Sequence, residues 1–275
     1  MTKIYINMKE NKYRKYLMYY FKSMKKSSFL IQLLLVITLS SCSNFFSKNE
    51  ELPVDEDDKY LGEPIINFTD SSEAKNTYEI RNGYTNGGEF LSYWKRDNVT
   101  YKDGYAGLSL YDSDKNYGSE IRTHQGYLYG YFGARMKTFK KSGTVQSIFT
   151  YNGGGYQHDE IDIEFLGKDT TKVQFNYFLD GDGNHSYLYN LGFDSSLDFH
   201  DYGFKWEKDK ITWYVDFKPV YSVKASLPTW GFIFINVWAG NNSKTEGWLG
   251  KYTPTEEKLT AYYDYISYKA VPESD

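Results

Sequence analysis

Three acidic residues alternate with apolar residues in the short stretch from His158 to Gly167. Glu160, Asp162 and Glu164 are each followed by an isoleucine or a phenylalanine. Successive side chains of a β-strand point to opposite faces, so the three acids share one face. Carboxylates placed side by side repel one another and weaken a sheet, so function explains their position better than stability does. An exposed acidic face or a cation site is the alternative interpretation.

The spacing of the two glutamates indicates a reaction. Glu160 and Glu164 have Cα atoms about 13 Å apart on a strand, and side chains that lean inward bring their carboxyl groups to roughly 5–6 Å. That separation is typical of a retaining glycosidase and short for an inverting one, in which a water must fit between acid and base. The charge of Asp162 would oppose ionisation of a neighbouring glutamate and help keep one of them protonated.

Composition excludes several classes of protein. The chain has 275 residues, 19% of them aromatic, with 36 acidic and 32 basic side chains. Many aromatics and a low net charge argue against disorder, and the acidic balance argues against a nucleic-acid partner. One cysteine rules out a disulfide framework and a thiolate zinc cluster. The sequence lacks a phosphate-binding loop and a dinucleotide-binding glycine turn, which argues against nucleotide chemistry.

The N-terminal part predicts export. Basic residues precede an apolar run from Phe29 to Leu39, which is the pattern of a secretory signal over residues 1–41. The run is shorter than the ~20 residues of a membrane-spanning helix. Leu39-Ser40-Ser41-Cys42 resembles a bacterial lipobox, which implies cleavage before Cys42 and a lipid on its sulfur; an ordinary signal with an incidental cysteine is the alternative. The polar and acidic segment over residues 42–63 then predicts a solvated tether. We expect a lipoprotein anchored at the cell surface, or a secreted protein.

Residues 64–275 predict one all-β domain. Short segments rich in Tyr, Phe, Val, Ile and Thr are separated by turn clusters, among them residues 82–83, 103–104 and 241–243, which indicates a sandwich or a barrel. Strand parity places Gln174, Asn176 and Phe178 on one face, and Asn236 and Trp238 on one face of another strand. Aromatics mixed with amides suit a sugar, whose C–H faces stack on rings, although aromatics are also good strand formers.

The stretch from Asp159 to Tyr177 resembles the signature of glycoside hydrolase family 16, and specifically of its bacterial lichenases, the β-1,3-1,4-glucanases. The resemblance extends from Tyr78 to Tyr268 and includes residues 83–88, 119–123, 149–151, 236–238 and 247–250. It implies a β-jelly-roll sandwich of two antiparallel sheets, with a concave sheet that forms an open cleft for a linear β-glucan.

The resemblance also implies residue roles. Glu160 would be the nucleophile, Glu164 the general acid/base, and Asp162 the residue that tunes them. The strand lacks the extra methionine of many laminarinases, which favours the lichenase branch. We expect Trp238 and Trp248 to be the main aromatics that stack on sugar rings. The expected substrate-binding residues are Asn86, Glu120, Arg122, Phe149, Tyr151, His158, Asn176, Phe178, Asn236, Trp238 and Trp248.

Two departures from the lichenase pattern keep other substrates open. His158 stands where lichenases usually have tryptophan, and it resembles the plant xyloglucan-active members; Phe178 replaces a tyrosine. Xyloglucanase, laminarinase and transglycosylase activity are therefore alternatives. A catalytically silent glucan-binding surface lipoprotein is an alternative of another class, and the intact acidic strand argues against it.

The resemblance bears on metals as well. The family often binds one structural calcium ion through backbone carbonyls and an aspartate that Asp264 matches. We expect no cofactor for catalysis, no nucleic-acid partner and a monomer.

Overall fold

The structure is a computed structural model that describes residues 62–68, 74–152 and 158–271. The predicted signal, Cys42 and almost all of the predicted tether lie outside the described residues. Glu63, which the sequence assigned to the tether, is the first residue of a strand. Within the described ranges, the helices are too short or too polar to span a membrane.

The described residues form sixteen strands, two short helices and one 3₁₀ turn. The strands are β1 (Glu63–Ile66), β2 (Tyr78–Ile80), β3 (Tyr93–Trp94), β4 (Val99–Lys102), β5 (Tyr105–Asp112), β6 (Asn116–Tyr127), β7 (Gly130–Lys137), β8 (Thr144–Tyr151), β9 (Glu160–Leu166), β10 (Lys172–Phe178), β11 (Tyr187–Asn190), β12 (His200–Trp206), β13 (Lys210–Val215), β14 (Lys218–Lys224), β15 (Gly231–Ala239) and β16 (Leu259–Lys269). The helices are α1 (Ala74–Thr77) and α2 (Asn242–Leu249), and the 3₁₀ turn is Arg96–Asn98.

The strands hydrogen-bond in the order β11-β10-β9-β8-β15-β6-β5-β16-β7-β12-β13-β14. β5 and β6 pair at only two positions, Tyr111 with Tyr117 and Asp112 with Asn116. The order therefore divides there into two antiparallel sheets. We call β2, β6, β8, β9, β10, β11 and β15 the cleft sheet, and the remaining strands other than β3 the back sheet.

One apolar core lies between the two sheets. Ile161, Ile163 and Phe165 of β9 are fully buried, as their alternation with the acids predicts. The Phe165 ring meets Tyr202 of β12 edge-on, with ring centroids 4.7 Å apart. Trp213 of β13 donates its indole N–H to the main-chain oxygen of Asp162 at 3.1 Å. Contacts between the sheets thus fix the inner face of β9 and turn its acidic face outward.

The all-β jelly-roll prediction is confirmed, as is the strand parity of β10 and β15. The turn predicted at residues 241–243 is wrong, because Asn241 is the N-cap of α2. Its side-chain oxygen accepts from the backbone N–H of Ser243 at 3.2 Å, which is the usual way in which asparagine starts a helix. Only Trp248 and Leu249 are large apolar residues in this helix, so helical periodicity is not visible in the sequence.

Gly143 ties the end of α2 to the cleft sheet. Its N–H donates to the Leu249 oxygen at 3.0 Å, and its own oxygen accepts from the Gly240 N–H at 2.8 Å. Its φ is +80°, and a Cβ there would lie 2.4 Å from the Cα of Tyr252. Gly104 has nearly the same φ, +83°, but its Cβ would meet nothing within 4 Å.

These two glycines form a matched pair for a stability test. Gly104→Ala should lower the free energy of unfolding by about 1–2 kcal/mol, because only backbone strain opposes the methyl group. Gly143→Ala should cost roughly 1–3 kcal/mol more, because the methyl group also displaces the Tyr252 backbone. Urea unfolding followed by tryptophan fluorescence measures both. Equal losses would show that Gly143 and Tyr252 are not in close approach.

Candidate active site

The acidic face of β9 lies at the centre of the cleft sheet. On β8 the residues opposite Glu160, Asp162 and Glu164 are Tyr151, Phe149 and Ser147. On β10 the opposite residues are Phe178, Asn176 and Gln174. Each acid therefore has a polar or aromatic residue on both sides. Seven of these nine positions are among the predicted site residues, namely the three acids with Phe149, Tyr151, Asn176 and Phe178.

Glu164 is held by a short chain of hydrogen bonds. Gln174 donates its amide N–H to Oε2 of Glu164 at 2.8 Å. Trp248 donates its indole N–H to the side-chain oxygen of Gln174 at 3.1 Å, which fixes the amide orientation. Burial raises the pKa of Glu164 to about 8, the negative charges of Glu160 and Glu89 act in the same direction, and the Gln174 hydrogen bond opposes them. At neutral pH the carboxyl group of Glu164 is therefore protonated and can donate a proton.

Asp162 is almost fully buried between the two glutamates. Burial raises its pKa well above the usual range, and the charges of Glu160 and Glu164 and a hydrogen bond with Glu160 add to this effect. The sequence-based expectation that the charge of Asp162 helps to keep a glutamate protonated stays a prediction. The pKa of Glu164 is raised by burial first and then by the charges of Glu160 and Glu89, and the pKa of Asp162 is itself raised.

Glu160 contacts the imidazole of His158. The Nε2 atom of His158 lies 2.5 Å from Oε2 of Glu160. The imidazole stacks on Phe178, with ring centroids 4.7 Å apart and planes 8° apart. The Glu160 hydrogen bond raises the pKa of His158, while burial opposes this.

Glu120 and Asn236 form a second polar group on the neighbouring strands β6 and β15. Asn236 donates to Oε2 of Glu120 at 3.1 Å, and Ser147 donates its hydroxyl to the Asn236 oxygen at 2.6 Å. Burial raises the pKa of Glu120 to about 7, which the Asn236 hydrogen bond and the charges of Arg81 and Arg122 partly offset. Register places Asn236 opposite both Glu120 and Ser147, so this group extends the acidic face across the sheet.

Arg122 lies on β6 two residues beyond Glu120. Its guanidinium contacts Glu79 at 2.9 Å and lies over the Phe232 ring, 4.4 Å from the centroid. Its Nε atom is buried and has no protein partner. Asn86 lies in the segment before β3, where its side-chain oxygen accepts from the indole N–H of Trp94 at 3.0 Å.

The aromatic residues of the site differ in exposure. Phe149 is half-buried and stacks on Phe234, with centroids 4.9 Å apart. Tyr151 and Trp248 are also half-buried, so part of each ring is accessible. These rings, together with Phe178, form the accessible aromatic surface next to the acids.

Trp238 is not part of that surface. It is 4% exposed and packs against Phe90, with ring centroids 4.0 Å apart. It belongs to a small second core with Trp94, Val145, Leu166 and Leu249. The expectation that Trp238 stacks on sugar is wrong in this structure. Strand parity gave its face correctly, but the segment before β3 covers that end of β15, and parity does not predict such a contact.

Sequence reasoning missed two residues of the site. Gln174 bonds the carboxyl group of Glu164, and Ser147 bonds Asn236. The alternation of β10 had placed Gln174 on the polar face, so a signal for it existed. No comparable signal marked Ser147.

Asp264 lies on β16 of the back sheet, away from the acidic strand. The guanidinium of Arg135 contacts its carboxylate at 3.3 Å and that of Asp201 at 3.1 Å. Within the described part of the chain, no group of three or more His, Cys, Asp or Glu side chains could hold a metal ion. In this structure the Asp264 carboxylate pairs with a protein cation, Arg135. Calcium binding stays a prediction without support from this geometry.

Comparison with known proteins identifies the family. Residues 86–258 match the model for glycosyl hydrolases family 16. A beta-glucanase of Paenibacillus polymyxa is 40% identical over 250 residues, which are 89% of this chain and 98% of that protein. A beta-glucanase of Acetivibrio thermocellus is 46% identical over 198 residues, 67% of this chain, and the match spans 57% of its length.

A solved structure gives the same result. A prokaryotic beta-1,3-1,4-glucanase (lichenase) derived from a mouse hindgut metagenome is 43% identical, with a TM-score of 0.69 over 76% of this chain and 98% of that one. Fold, acidic strand and sequence similarity agree, and the chain belongs to glycosyl hydrolase family 16.

Proposed function

We propose that this glycoside hydrolase is an endo-β-glucanase that cleaves mixed-linkage β-1,3-1,4-glucan with retention of configuration. The observation that carries the proposal is the placement of Glu160 and Glu164 on one face of β9, with burial raising the pKa of Glu164. The names of the beta-glucanase and lichenase relatives support the substrate class.

In the first step the carboxylate of Glu160 attacks the anomeric carbon, and Glu164 donates its proton to the glycosidic oxygen. The bond between the anomeric carbon and that oxygen breaks, and a covalent glycosyl-enzyme forms. In the second step the Glu164 carboxylate takes a proton from water, the water oxygen attacks the anomeric carbon, and Glu160 leaves as a carboxylate. Two inversions give net retention.

The charge of Glu160 links the two steps. It is one of the causes that raise the pKa of Glu164, so Glu164 is an acid while Glu160 is a carboxylate. Ester formation removes that charge, and the pKa of Glu164 falls. Glu164 then becomes the base that the second step requires.

Unpaired polar atoms support binding of a sugar over the acids. Oδ2 of Asp162 and Oδ1 of Asn176 are buried without a protein partner, and register places these two residues opposite each other. Sugar hydroxyl groups can donate to such oxygens. Glucose rings would lie against the accessible faces of Phe149, Tyr151 and Trp248.

We also propose that the protein is exported and anchored through Cys42, and that it acts as a monomer. The support is the charged and apolar pattern of residues 1–41 and the Leu-Ser-Ser-Cys motif. An extracellular position would bring the cleft to a polysaccharide that does not enter cells.

Product mapping tests the substrate proposal. The protein should degrade barley β-glucan and lichenan to short oligosaccharides. Hydrolysis of laminarin and xyloglucan should be at least about tenfold slower, because a different linkage moves a glucose ring out of contact with the cleft and weakens binding of the transition state. Chromatography of the products identifies the substrates that are cleaved. Proton NMR of the anomeric configuration of the product at the moment of its release measures the stereochemistry. A preference for xyloglucan or laminarin would replace the substrate class, and an inverted first product would reject the double displacement.

The role of Gln174 gives a pH prediction. In the pH profile of kcat/KM, the alkaline limb should have its midpoint near pH 8, because Glu164 must be protonated to donate its proton to the glycosidic oxygen. Gln174→Leu removes a hydrogen bond that lowers the pKa of Glu164, so this limb should move to higher pH. The pH profile on barley β-glucan measures the shift. Lys172→Met, on the same strand but paired with Asp169, is the control and should leave the limb in place. If the alkaline limb does not move in Gln174→Leu, the limb reports the titration of a group other than Glu164.

A further inference from the structure

His158 is held tightly against Glu160 by residues from both neighbouring strands. Its ring lies parallel to Phe178 of β10 and edge-on to Tyr151 of β8, with centroids 4.7 Å and 4.9 Å away. Phe178 and Tyr151 are the two residues paired with Glu160 across the sheet. The groups that flank Glu160 therefore also hold the imidazole that contacts it.

The backbone of the same segment is fixed as well. The N–H of Gly181 donates to the main-chain oxygen of His158 at 2.9 Å. The buried side chain of Asp159 accepts from the N–H of Asp180 and the N–H of Thr229, each at 3.2 Å. Two other parts of the chain, residues 180–181 and Thr229, thus fix the backbone that carries the imidazole, which indicates a preorganised group.

The contact defines the protonation of the imidazole. The proposed nucleophile Glu160 reacts as a carboxylate, whose oxygens only accept, so we assign the hydrogen to the Nε2 atom that lies 2.5 Å from its Oε2. The titratable groups that face the ring are Glu160 and Asp159 from its own segment and Tyr151 from β8, whereas Phe178 of β10 is apolar. The Nε2–H therefore donates to Glu160 both in the neutral imidazole and in the imidazolium.

We propose that His158 is a positioning residue for the nucleophile: its Nε2–H holds one oxygen of the Glu160 carboxylate, orients the group for attack and stabilises it when it leaves the glycosyl-enzyme. The inference rests on the proposed role of Glu160. It gives His158 a function other than the sugar contact that the sequence suggested. The hydrogen bond acts on a group that is charged before the first step and becomes charged again in the second.

Two variants separate the hydrogen bond from the packing. His158→Phe keeps a ring between Phe178 and Tyr151 but removes the donor, and kcat should fall on the order of 10–100-fold with little change in KM. His158→Gln keeps an N–H at a similar reach but removes the ring, and it should recover most of kcat. Barley β-glucan hydrolysis by folded variants, checked by circular dichroism, measures both.

Full activity of His158→Phe, or a larger loss in His158→Gln than in His158→Phe, would overturn the inference, because the ring and not the donor would then matter. Failure of the proposed function would give a different result, because the unmodified protein itself would then not hydrolyse β-glucan.

A second measurement does not depend on activity. The ¹⁵N resonances of His158, assigned by their loss in His158→Gln, report its titration in the unmodified protein and in Glu160→Gln. The pKa of His158 should fall in Glu160→Gln, because the carboxylate that raises it is gone. An unchanged titration would show that the imidazole does not bind Glu160, whatever the role of Glu160 in catalysis.

Discussion

The charge relation between Glu160 and Glu164 is the interaction on which the account of this protein depends. Both side chains project from one face of β9, and burial of Glu164 beside a second carboxyl group raises its pKa to about 8. A carboxyl group whose pKa is raised in the folded state lowers the free energy of unfolding at neutral pH, and such groups cluster at functional sites. Donation of a proton to a glycosidic oxygen requires a protonated carboxyl group, and this is the chemistry of the glycoside hydrolase family to which the chain belongs.

The fold maintains this relation from both faces of the strand. On the inner face, Ile161, Ile163 and Phe165 pack into the core, and Trp213 binds the main-chain oxygen of Asp162. On the outer face, hydrogen bonds from Trp248 through Gln174 reach Glu164, and His158 reaches Glu160. The two glutamates thus have separate supports, one ending in an amide and one in an imidazole, which suits two different tasks.

Much of the site could be predicted from the sequence because alternation on a strand is a local property. The acidic face of β9 and the inward isoleucines follow from it, as does the polar face of β10. Contacts between distant segments could not be predicted: Phe90 covers Trp238, and Trp248 reaches Gln174 from a helix with almost no apolar periodicity. The raised pKa of Asp162 could not be predicted for a related reason, since burial depends on every element that surrounds the residue.

The most direct test is a titration of Glu164 before and after the glycosyl-enzyme forms. Carbon NMR of ¹³C-labelled glutamate, with the Glu164 signal assigned by its loss in Glu164→Gln, gives the pKa in the free protein and after trapping with a 2-fluoroglycoside. We expect a pKa of about 8 in the free protein and a lower value in the trapped form, because the ester bond removes the charge of Glu160. An ordinary carboxyl pKa in the free protein, or no fall on trapping, would contradict it.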